Sequence, residues 1–188
     1  AQDTTRYGED LYGEGKLPQL LTELCKVEGL RWIRVLYCYP ERITDELLEV
    51  MAKEDKILKY MDLPLQHCSR QVLRAMNRQG DRESLSALIR KIREKVPGIV
   101  LRTTFMVGFP GETEEAFEEL AEFAKEMRFE RMGCFAYSQE EGTPAARLPD
   151  QISREIKEHR QELMMEQQMA LMDEMSREMV GKTITCLL

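Results

Sequence analysis

Cysteine is sparse and scattered in this sequence. The five residues are Cys25, Cys38, Cys68, Cys134 and Cys186. Even the narrowest gap, Cys25 to Cys38, is far wider than a CxxC or CxxxCxxC spacing. That excludes a local zinc or iron–sulfur ligand set made from this chain's own thiols. An odd, dispersed set without a secretion signal reads as reduced thiols in a cytoplasmic protein, most of them acting as small buried hydrophobes. Histidine is scarcer still: there are two, His67 and His159. No Ser–His–Asp set, paired catalytic carboxylates or Walker loop can be assembled. No apolar run approaches the roughly 20 residues of a membrane span. No lysine- or arginine-rich block stands out and the net charge is −7. Nucleic-acid binding through this segment therefore has little electrostatic support, and the acidic balance suits a basic partner better.

What is present is the composition of one ordinary globular domain: 188 residues, 43% hydrophobic and 32% charged. The chain opens Ala1-Gln2-Asp3-Thr4 without an initiator methionine, and reads as a segment of a longer protein.

The most informative stretch runs from Ile99 to Thr113. Ile99 to Val107 is apolar and β-branched and predicts a strand that stops at Gly108-Phe109-Pro110-Gly111. Thr113 then caps a helix whose first turn is acidic. Alternation puts Leu101, Thr103, Phe105 and Val107 on one greasy face. Arg102, Thr104, Met106 and Gly108 lie on the other, polar face. Further strands are expected at Trp32–Tyr39, Lys59–Gln66 and Met132–Ser138. Pro64 cannot donate to a ladder and marks a bulge or an edge. Helices are expected from Leu17 to about Val27, after the cap Thr44, from Ser69 to about Asn77, after the cap Asp81, from Thr113 to Met127, and from Ser153 to Val180. The last carries six methionines, which reads as packing. Gly8, Gly13 and Gly15 keep the preceding stretch irregular. Regular strand–helix alternation means a parallel sheet.

In such sheets, ligands bind at the carboxyl ends of the strands. Those ends hold Asp3, Tyr37 to Pro40, Gln66-His67, Gly108 to Glu112 and Tyr137 to Glu141. Asp3 and Glu112 suit an ammonium or ribose hydroxyls. The glycine-turn amides suit a carboxylate or a purine edge, and Gly108 and Gly111 admit a ligand close to the main chain. Arg102 and Asp62 both point inward and are placed to pair. His159 reads as a surface residue. The residues alone thus predict a parallel α/β body that binds a small polar ligand, with no visible chemical engine.

Five motifs in order carry a resemblance that covers nearly the whole chain: AQDTTRYG at 1–8, LPLQHCS at 63–69, MNRQG at 76–80, RTTFMVGFPGETEEAF at 102–117 and YSQEEGTPA at 137–145. Together they resemble the methylthiotransferases of the radical S-adenosylmethionine superfamily. The branch that modifies a ribosomal protein is closer than the one that modifies tRNA. The resemblance implies an α/β fold: a partial (β/α) TIM-like barrel over 1–180 with its first strands missing and a long C-terminal helix. A small β-domain would begin at 181–188, with Thr183 to Leu188 as its first strand. It implies S-adenosylmethionine and 4Fe-4S clusters as cofactors, the cluster ligands lying outside this chain. Reductive cleavage of the sulfonium then gives a radical that takes hydrogen from the substrate. The implied substrate is an aspartate β-carbon of a small-subunit ribosomal protein. By position, the cofactor would meet Gln2, Asp3, Thr4, Gln66, Thr104, Gly108, Gly111, Glu112 and Tyr137. The substrate would approach His67, Arg78 and Glu141. The other readings are a tRNA methylthiotransferase and a cluster-free α/β binding module.

Overall fold

A computed structural model describes residues 3–185. Among them, four strands form one parallel sheet in the order β1-β2-β3-β4. The chain first makes a 3-10 turn (Thr4–Arg6), α1 (Glu9–Tyr12) and α2 (Leu17–Cys25). Then come β1 (Ile33–Val35), α3 (Asp45–Lys53), β2 (Ile57–Gln66), α4 (Arg70–Ala75), α5 (Arg82–Lys95) and β3 (Val100–Val107). The chain continues as α6 (Glu114–Met127), β4 (Arg131–Ala136) and α7 (Arg154–Met179). Consecutive parallel strands lie side by side, so crossovers of one hand place their helices on one face. The other face is left open, as in a barrel wall.

The caps follow the sequence. Thr44, Asp81, Thr113 and Ser153 each accept a backbone N–H from the first turn of their helices. Ser69 is the exception: its side chain caps nothing, and its N–H donates instead to His67 Nδ1 at 2.9 Å. A short helix, α1, occupies the stretch expected to be irregular, bounded by Gly8 and Gly13, both at positive φ.

The alternation expected for β3 is observed. Leu101, Thr103, Phe105 and Val107 are buried against the helices, while Arg102, Thr104 and Met106 are half-buried on the open face. Phe105 meets Phe123 and Phe129 edge-on in a core completed by Met61, Leu63 and Leu101. Pro64 marks a bulge rather than an edge. Leu63 pairs with Thr103 but Gln66 with Phe105, so β2 spends one more residue than β3 over this step. The Thr103 hydroxyl accepts the displaced Leu65 N–H at 3.5 Å.

The strand expected over Trp32–Tyr39 is shorter. Only Ile33–Val35 is extended in the sheet, and Tyr37 turns to φ +56°. Beyond the strand, Thr4 N–H donates to Tyr37 C=O at 3.0 Å and its hydroxyl to Leu36 C=O at 2.7 Å. On the opposite edge, α7 covers β4: Gln161 and Gln168 donate to the carbonyls of Cys134 and Phe129 at 3.0 and 3.1 Å. Edge groups that would otherwise be free are thus occupied by side chains. Residues 183–185 are irregular. The rest of the strand expected at 183–188 lies outside the described residues, as does Gln2.

Candidate functional site

A cavity of about 620 Å³ opens on the uncovered face toward the carboxyl ends of β1 to β3, lined by Tyr37, Tyr39, Asp62, Pro64, Gln66, Arg78, Arg102 and Thr104. Its floor is built on strands. Asp62 is 1% exposed; its Oδ1 accepts from Arg102 Nη1 at 2.8 Å and its Oδ2 from Tyr37 N–H at 3.4 Å. That hydrogen bond and the attraction of Asp62 raise the Arg102 pKa further. The rim is held by a second guanidinium. Arg78 donates through Nη2 to Pro64 C=O at 2.7 Å and stacks on the Tyr39 ring at 4.3 Å. Pro64 C=O is a natural acceptor here because the bulge takes it out of the ladder. Tyr37 and Gln66 are both non-glycine residues at positive φ, +56° and +68°, and both line the cavity. Such left-handed backbone is costly and concentrates where a site demands it.

Two guanidinium groups against one carboxylate make this cavity cationic in a chain of net charge −7. It also offers the Gln66 amide, the Thr104 hydroxyl and two phenol rings. That donor set suits a ligand with carboxylate and hydroxyl groups.

The residues expected at a ligand are divided by the structure. Gln66, Thr104 and Arg78 come together in this cavity. Asp3 and Thr4 line a separate hollow of about 400 Å³ beside Tyr7, Leu11 and Leu17. There Asp3 accepts from Thr5 N–H at 3.0 Å, and its Oδ2 lies 3.8 Å from Arg42 Nε. Glu141 is exposed in a turn.

Glu112, expected to hold an ammonium or ribose, is instead turned inward. Its Oε1 accepts from Arg160 Nη1 at 2.7 Å, and its Oε2 from Gly108 N–H at 2.9 Å. The reason is α7, whose first turns bring Arg160 down onto the β3 exit. The Gly108 amide expected to meet a ligand is spent on Glu112, and that of Gly111 donates to Asp150 C=O at 3.1 Å. Gly108 is approached closely, but by the protein: a Cβ there would lie 2.3 Å from Lys157 Cγ. Lys157 itself donates to Tyr137 C=O at 3.2 Å and sits 4.8 Å from the centre of the Tyr137 ring. Tyr137 packs on Phe109 and is buried away from the cavity. His67, expected near substrate, is fully buried. Its Nδ1 accepts from Ser69 N–H, which leaves a neutral ring's proton on Nε2, 3.4 Å from Glu112 Oε2.

Sequence reasoning missed Lys157 and Arg160. Their spacing with Met164 and Gln168 marks the one buried stripe of α7, but two charged residues on it gave no reason to look inward.

The thiols do not fit a cluster. Among the described residues no three His, Cys, Asp or Glu side chains converge to hold a metal. Burial pushes Cys38 up to about 11 and Cys134 up to about 12, and raises Cys68 as well. Thiols held protonated are poor ligands. The cavity, by contrast, offers N–H and O–H donors suited to the carboxylate and ribose hydroxyls of a sulfonium nucleotide, while its one carboxylate, Asp62, is already paired with Arg102.

A family model described as the radical SAM superfamily matches residues 7–124. The chain belongs to the radical SAM superfamily. It is similar over its whole length to the ribosomal protein uS12 methylthiotransferase RimO of Desulfitobacterium hafniense, at 52% identity over 188 residues, which is 42% of that protein. The RimO of Alkaliphilus oremlandii is 52% identical over 98% of the chain and 41% of its own length. The chain thus spans about two fifths of the length of the curated relatives it matches. Among solved structures, coproporphyrinogen III oxidase HemN from Escherichia coli superposes with a TM-score of 0.59 at 20% identity, over 85% of this chain and 36% of that one. The radical SAM methyltransferase TsrM from Kitasatospora setae gives 0.54 at 17% identity, over 70% and 26%. These two share the radical SAM fold with this chain: an α/β body with a parallel sheet.

Proposed function

We propose that this chain is the cofactor-binding body of a RimO-type methylthiotransferase, acting on an aspartate of the small-subunit ribosomal protein uS12. One observation carries the reading: 52% identity to a protein of that name over all 188 residues of this chain. S-adenosylmethionine, bound with a reduced 4Fe-4S cluster, supplies radical chemistry able to activate an aliphatic carbon. The cluster ligands would come from outside this chain, and no step is assigned to its own cysteines.

The roles of the chain's own residues follow from the cavity. Gln66 and Thr104 present an amide and a hydroxyl for the ribose. Arg78, anchored by Pro64 C=O and Tyr39, keeps further N–H groups for a carboxylate arriving at the rim. Tyr37 and Tyr39 give flat apolar walls that limit water. The Gly108–Glu112 turn is locked from behind by Arg160, so the β3 exit is rigid. Asp3 and Thr4 stand at the edge of β1, at the same end of the sheet. A net charge of −7 favours a basic protein over tRNA as partner. No helix among the described residues is long and apolar enough to cross a membrane. A ribosomal-protein substrate would place the work in the cytoplasm.

The test is to reconstitute the full-length protein with iron–sulfur and offer S-adenosylmethionine with uS12 or with tRNA. Methylthiolated uS12 and 5′-deoxyadenosine are expected. Modification of tRNA alone would point to the other branch, and no cleavage of S-adenosylmethionine would leave a binding module.

A further inference from the structure

We infer that Arg102 is the specificity-determining residue that reads the carboxylate of an acidic side chain on the substrate. This rests on the proposed reaction. Arg102 projects from the middle of β3, one pleat below Thr104, into the cavity both residues line. Only one of its nitrogens is engaged: Nη1 meets Asp62, while Nη2 and Nε hydrogen-bond to nothing among the described residues. Asp62 is buried and holds the guanidinium plane in place, yet the Arg102 side chain is 41% exposed. The result is a fork anchored at one nitrogen, with N–H donors left for the cavity, a donor set that takes a carboxylate in bidentate fashion.

Position distinguishes Arg102 from Arg78. Arg78 lies at the rim, after α4, held there by Pro64 C=O and Tyr39 and facing the ligand that enters first. Arg102 stands on the floor, on a strand paired on both sides. Gln66 and Thr104 lie nearer the strand exits, so a side chain that enters beside a ligand held there and reaches the floor would meet Arg102. The chemistry explains why the grip is needed. The target carbon of an aspartate is one bond from its carboxylate, so fixing the carboxylate fixes that carbon relative to the cofactor. A neutral amide in its place would leave Arg102 with a donor facing donors.

The test is a comparison of ratios in the full-length protein. Affinity by calorimetry, and product formation by mass spectrometry, are measured for uS12 and for uS12 with asparagine at the modified aspartate. Wild type is expected to prefer the aspartate form by on the order of tenfold to a hundredfold. Arg102→Met should abolish that preference. Arg102→Lys, which keeps the charge beside Asp62 but lacks the fork, should retain part of it. A general packing defect lowers both affinities together and leaves the ratio intact. The double variant Asp62→Asn with Arg102→Met, which also removes the carboxylate that Arg102 neutralises, should still lack the preference, and a preference restored in it would overturn the assignment. An unchanged preference in both variants, or no preference in wild type, overturns the assignment. If product forms and the ratio ignores Arg102, this inference fails while the methylthiotransferase reading stands. If the ratio follows Arg102 but no product forms, the assignment holds and the reaction is the part that fails.

Discussion

Glu112 and Arg160 form a buried ion pair, 2.7 Å between Oε1 and Nη1, that ties the turn after β3 to α7. Both side chains are almost wholly out of water; removing Arg160 leaves Glu112 without its cation, whereas removing Glu112 leaves Arg160 its second partner, Glu114 Oε2 at 2.7 Å. Arg160→Ala should cost about 3–5 kcal/mol in denaturant unfolding, and Glu112→Ala less, because Glu114 still pairs with Arg160. The double variant should cost less than the sum, because the orphaned charge is gone. Additive losses would show that the two groups do not act as a pair.

The two glycines of the β3 turn should respond differently to alanine. Gly108 has φ +72° and no room, with Lys157 pressed against it, whereas Gly111 has φ +80° and open space. Gly111→Ala should cost about 1–2 kcal/mol, from the left-handed backbone alone. Gly108→Ala should cost more than about 2 kcal/mol, since strain and overlap add. Equal melting temperatures for the two variants would contradict the close approach of Lys157.

Buried Cys38 gives the folded state an alkaline weakness. Burial, chiefly, raises its thiol from 9.0 to about 11. The folded state therefore holds a proton that the unfolded state has already lost between those values. Its contribution is complete below pH 9 and disappears as pH rises toward 11. Stability should fall across that window, and Cys38→Ala should flatten the fall. In the native protein at pH 8, mass spectrometry should find Cys25, which is partly exposed, alkylated before Cys38, Cys68 and Cys134.

The glutamines of α7 should matter more than their type suggests. Gln161→Ala exposes one edge carbonyl of β4 and should cost about 1 kcal/mol. Gln168 is buried, so Gln168→Ala strands the Phe129 carbonyl and should cost about 1–3 kcal/mol. Hydrogen exchange in β4 should rise in both. Protection equal to wild type would mean that α7 covers this edge by packing alone.

Local chemistry wrote much of this molecule into the chain. The period-2 pattern of Leu101 to Val107, the caps at Thr44, Asp81, Thr113 and Ser153, and a break in the ladder at Pro64 depend on neighbours within a few residues, so they are legible in the sequence, though only the strand register makes the break a bulge. The pairing of Arg102 with Asp62 followed from the same alternation, because parallel strands place equal faces side by side. What the chain alone did not reveal depended on α7. Its inner stripe, some 50 residues further along, pairs Arg160 with Glu112, which in turn holds the Gly108 amide, and presses Lys157 on Gly108 itself. A carboxylate and a glycine at a strand exit look the same in sequence whether they face a cavity or a helix. Only long-range packing decides which, because the partner that neutralises a buried charge is chosen in space and not along the chain.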